Sequence, residues 1–198
     1  MMRSRRSWSF LPVLMVILAG LAVAARDTAA DDKSALRLRA FGVNLNSPAR
    51  GSAATTYDIN IERWSTPEEA ARLKDVLTEK GADALLETVQ KLPRVGSISR
   101  TGHLGWDIRF AQQIAAAGGG RRIVIATDRP MSFWEASNQP RSADYAFTLA
   151  EVRLGPDGKG EGKLVPAAKI EYDQESKTLE IENYNIEPVR LTQVEVVK

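Results

Sequence analysis

Apolar residues recur at every second position in segment after segment of this chain. In TTYDINIERW, Tyr57, Ile59 and Ile61 alternate with Asp58, Asn60 and Glu62. In LGWDIRF, Leu104, Trp106, Ile108 and Phe110 share one face and Asp107 and Arg109 the other. A pleated strand turns successive side chains to opposite sides, so this alternation describes half-buried strands. Further strands are expected at residues 121 to 127, in DYAFTLAEVRL (144–154), and at about 162–172, 178–184 and 188–197. Gly118 to Gly120 and Pro156-Asp157-Gly158 read as turns between them. Asp128-Arg129-Pro130 ends the apolar run Ile123 to Ile125, because proline cannot donate to a ladder.

One stretch follows a different period. Thr66-Pro67-Glu68-Glu69 is a helix start, with Thr66 as cap, Pro67 in the first turn and Glu69 completing a capping box. Ala70, Leu73, Val76 and Leu77 form one stripe, which Gly81 closes. Leu85, Leu86, Val89 and Leu92 form a second stripe, ended by Pro93. The expected class is α+β: a mostly antiparallel β meander or partly closed barrel, with a helix hairpin inserted after the first strand. That order resembles the topology of intracellular lipid-binding barrels, a likeness that carries fold and no ligand.

The N-terminus reads as an export signal. Arg3, Arg5 and Arg6 precede FLPVLMVILAGLAVAA, and Ala22-Val23-Ala24 fits a small-x-small cleavage site. A retained anchor is the alternative, and the alanine-rich exit favours cleavage. The expected division is a signal peptide over 1–24, a flexible lead-in over 25–54 containing a short apolar island at Leu36 to Val43, and one α+β domain over 55–198. The expected location is periplasmic or extracellular, with no membrane span after cleavage.

Charge is informative once the leader is set aside. The chain holds 27 Lys and Arg against 25 Asp and Glu, and three of the arginines lie in the first 24 residues, leaving 24 against 25. The basic character therefore belongs largely to the leader, and nucleic acid is not an expected partner. Residues 91 to 141 hold eight cations against three acids, so this middle either gathers on one face or pairs with the acidic C-terminal strands. The chain contains no cysteine, which excludes disulfides, thiolate chemistry and a lipidated N-terminal cysteine.

No catalytic signature is present. His103, the only histidine, lies in the turn-like RTGHLG, and no zinc motif, nucleophile elbow or phosphate loop accompanies it. PDGKGEG lacks the carboxylates of a calcium loop, so no metal or cofactor is expected. Glu62, Asp107, Asp128 and Glu135 leave a carboxylate-dependent hydrolase as a minor alternative. GRRIVIATDRPMSFWEA (120–136) invites two readings. Its aromatics plug the core while Asp128 and Arg129 pair locally, or Trp106, Arg109, Arg122, Asp128, Arg129, Trp134 and Glu135 line a pocket for a ligand with an apolar body and an anionic head.

ERWST (62–66), GRRIVIATDRP (120–130), DYAFTL (144–149), DGKGEG (157–162), ENY (182–184) and PVRL (188–191) resemble segments of a group of exported bacterial proteins with no assigned activity. The resemblance implies a single exported domain. The expected role is binding, of a small amphipathic or anionic ligand, with an envelope protein–protein interaction domain as the alternative.

Overall fold

The computed structural model describes residues 36–47, 51–131, 145–183 and 187–197. Among these residues nine strands and one α-helix follow one another: β1 (Leu36–Ser47), β2 (Gly51–Ile61), α1 (Pro67–Lys91), β3 (Gly96–Arg100), β4 (Trp106–Ala115), β5 (Arg121–Thr127), β6 (Phe147–Leu154), β7 (Lys159–Asp173), β8 (Thr178–Asn183) and β9 (Val189–Val196). All pairings are antiparallel, and β1 to β7 run as a meander. β9 then returns between β7 and β1, closing an eight-stranded barrel. Closure removes the barrel's open edges.

β7 is long because it serves two neighbours on one side. Its first part, Lys159 to Leu164, pairs with β9, and its second part, Ala168 to Asp173, pairs with β8. β8 is therefore an extension of the sheet beyond the barrel. The interior is packed with side chains. Leu38, Ile59, Ile61, Ile98, Ile108, Ile123, Leu164 and Leu191 are at most 2% exposed and belong to one contiguous cluster.

α1 covers the outside. Leu77, Leu85 and Val89 pack with Phe147, Ala168 and Ile170, and Leu149 and Val165 join them, although their chain neighbours Ala150 and Leu164 face the interior. Alternation across the pleat therefore places the helix on the outer surface of β6 to β8. Thr66 caps it as expected: its hydroxyl accepts from Glu69 N (3.2 Å) and Glu69 Oε2 accepts from Thr66 N (2.9 Å). The expected helix hairpin is instead one 25-residue element kinked at Gly81 (φ 82°), and it follows the second strand. No loop separates the two stripes, whereas antiparallel helices need a connection of about 2–8 residues.

Two further expectations change. The domain starts before residue 55, since β1 occupies the apolar island of the lead-in and supplies Leu36, Leu38 and Ala40 to the core. Leu104 does not share the inner face; it is 93% exposed in the β3–β4 turn. A bulge between Ile108 and Phe110 also reverses the alternation, so Ala111 enters the core and Phe110, opposite Ala126, takes the outer face. Ser65 fixes the backbone there, donating from its N–H to Ala111 O (2.8 Å) and accepting Ala111 N–H on its hydroxyl (3.1 Å).

Candidate functional site

Arg122 is the residue of β5 whose environment is least self-sufficient. The strand alternates, so Ile123 and Ile125 enter the core while Arg122 and Val124 lie on the outer face. Its cross-strand neighbours are Ile114 on β4 and Arg153 on β6. Two guanidinium groups thus occupy directly opposite positions, an arrangement that disfavours the isolated fold. Nη2 of Arg122 is buried and has no hydrogen-bond partner among the described residues. Arg153 donates from Nε to Glu151 Oε1 (2.7 Å) but stays 64% exposed. Arg121, one position along, donates to Gln113 Oε1 (3.2 Å).

These arginines border an open depression of about 430 Å³ at the end of the barrel. Its other walls are Ile114, the β4–β5 turn, Leu154, and Gly155 and Pro156 of the β6–β7 turn. Adjacent guanidinium groups beside apolar walls can hold an oxyanion through charge-assisted, bidentate hydrogen bonds while an apolar body lies alongside.

Of the five described residues among the seven marked by the sequence, only Arg109 and Asp128 come together. Trp106 is buried in the barrel interior, with the Arg100 guanidinium 5.9 Å from its ring centroid. Arg109 and Asp128 meet as an ion pair (Nε–Oδ2 3.1 Å), and Arg109 also reaches Asp107 (3.4 Å) and Leu92 O (3.2 Å). Asp128 thus pairs across to β4, not locally with Arg129 as one of the two readings of this stretch has it. Arg129 serves through its carbonyl, which accepts from Thr127 Oγ1 (2.5 Å) and Thr148 Oγ1 (3.2 Å). Arg122 sits at the opposite end of β5 from that knot, and Trp134 and Glu135 fall outside the described residues. Glu62, Asp107 and Asp128 are all held by arginines, because Arg94 bridges Glu62 (2.7 Å) and Asp107 (3.4 Å).

Sequence reasoning missed Arg153. Within DYAFTLAEVRL it reads as an ordinary outward charge, and only the β5–β6 register sets it beside Arg122. ERWST is accounted for structurally: Glu62 pairs with Arg94, Arg63 with Glu69, Trp64 packs on the core, Ser65 binds Ala111 and Thr66 caps α1. Among the described residues, no helix is long and apolar enough to cross a membrane. No protein family, curated protein or solved structure matches the chain.

Proposed function

We propose that this chain is an exported, non-enzymatic binding domain that takes a small anionic or amphipathic ligand in the arginine depression, on the outside of the barrel. The observation that carries this reading is Arg122, whose buried Nη2 lacks a partner among the described residues beside a second guanidinium. A buried donor left unpaired costs about 1–3 kcal/mol. An oxyanion that accepts from Arg122, once its side chain swings outward, and from Arg153 removes both that penalty and the repulsion, and Ile114 and Pro156 border the same depression. The packed interior supports an external site. Export rests on the basic, apolar and small-residue order of residues 1 to 24.

The packed interior also favours a second reading, an envelope protein–protein interaction domain in which the anion is a carboxylate of a partner protein. NMR titration with octanoate and with inorganic phosphate tests the site. Saturable shifts at residues 114–122 and 153–156 are expected, and Arg122→Met abolishes them while leaving the fold as stable as before. Absence of saturable shifts, or identical shifts in Arg122→Met, refutes the site. Shifts with phosphate alone favour a small phosphate-bearing ligand over a partner's carboxylate.

A further inference from the structure

β8 is the end strand of the sheet, and among the described residues it pairs with β7 alone. Its two faces differ. Leu179 and Ile181 join the cluster beneath α1 but stay half-buried at the rim, while Glu180 and Glu182 are exposed on the other face. Across the ladder Glu180 stands opposite Glu171, a like-charge pair that disfavours the hairpin. Lys169 reaches Glu171 (2.7 Å).

The hairpin is nevertheless held firmly. Asp173 accepts from Glu175 N (2.8 Å), Ser176 N (3.3 Å) and Ser176 Oγ (2.7 Å), and these bonds, Ser176 Oγ first, lower its pKa below the usual carboxylate value. Gln174 ties the turn to Thr78 O on α1. An edge strand presents a row of backbone donors and acceptors, so a pre-formed, anchored edge is a template for an added strand.

We propose that the outer edge of β8 docks an extended segment of a partner protein in which Lys or Arg alternates with aliphatic residues. Cations on that segment meet Glu180 and Glu182 and relieve the Glu171–Glu180 opposition. Its aliphatic residues extend the layer of Leu179 and Ile181. A second copy of this chain is the wrong occupant, because two-fold pairing of β8 with itself juxtaposes the same glutamates from both copies. This surface is separate from the arginine depression and stands independently of it.

The test is amide exchange and NMR titration of the full chain with the capped hexapeptides VKVKVK and VEVEVE. VKVKVK is expected to slow exchange in residues 178–183 and to bind at least tenfold more tightly than VEVEVE. Glu180→Lys combined with Glu182→Lys reverses that preference with the fold intact by circular dichroism. Equal binding of both peptides, protection elsewhere, or no protection overturns the proposal. A concentration-dependent dimer joined through β8 overturns it in favour of self-pairing.

Discussion

Arg63 and Glu69 face each other through two parallel hydrogen bonds, Nη2 to Oε1 at 2.9 Å and Nη1 to Oε2 at 3.0 Å. The same carboxylate accepts Thr66 N–H, so one side chain ties the β2–α1 loop to the first turn of the helix. The hydrogen bond from Arg63 holds the Glu69 carboxyl below its ordinary pKa, and Glu69 raises that of Arg63.

Glu69→Gln keeps the shape and the cap while removing the charge, and is expected to destabilise by about 1 kcal/mol at pH 7, since the pair is partly exposed. Glu69→Ala also loses the capping contact and is expected to cost about 2 kcal/mol. The folded pKa of Glu69 is depressed, so its contribution is complete above the unfolded value of about 4.3 and fades as pH falls through the folded value. Chemical denaturation at pH 7 and pH 3 checks this: the gap between parent and Glu69→Gln should shrink at the lower pH. The raised Arg63 pKa acts in the opposite sense, but only at strongly alkaline pH.

A buried polar knot replaces the ladder where β5 ends. Thr127 Oγ1 donates to Arg129 O and accepts Thr148 N–H (3.2 Å), while Thr148 Oγ1 reaches Pro166 O (2.8 Å). Thr127→Val preserves volume but leaves the Thr148 N–H unpaired in a site 1% exposed at Thr127. A loss of about 1–3 kcal/mol is expected, read as a lower urea midpoint at unchanged m-value.

DGKGEG contains two kinds of glycine. Gly158, at φ 76°, shapes the β6–β7 turn. Gly160 lies in β7, where a Cβ would meet the Arg153 carbonyl oxygen at 1.8 Å. Gly158→Ala is expected to cost about 1–2 kcal/mol from the left-handed backbone. Gly160→Ala is expected to exceed the ~1–3 kcal/mol usual for overpacking, because the obstacle is main chain. Thermal melts of the two variants should rank them in that order.

The strands and the helix cap were legible because each follows from residues within a few positions of one another. The side chains of β4 were legible only as far as Ile108, since a bulge leaves no mark in an alternating sequence and reverses every inward assignment after it. β1 was half visible: Leu36 and Leu38 alternate with arginines, but the next inward positions are Ala40, Gly42 and Asn44, too small or too polar to read as core. The arginine depression was not legible. Arg122 drew attention within its own segment, but Arg153 lies beyond the β5–β6 connection, and only strand register brings them together.

The seam between β1 and β9 joins positions 151 residues apart, as in the bond from Thr192 Oγ1 to Phe41 O (3.1 Å). Val197 N donates to Arg37 O (2.9 Å), so the last described residue lies against the first strand. The barrel is in effect a ring of strands in which the break between β9 and β1 is arbitrary. A short linker from residue 197 to residue 36 would leave the seam intact, and new termini cut in the exposed turn at residues 116–119 would then be compatible with the same barrel.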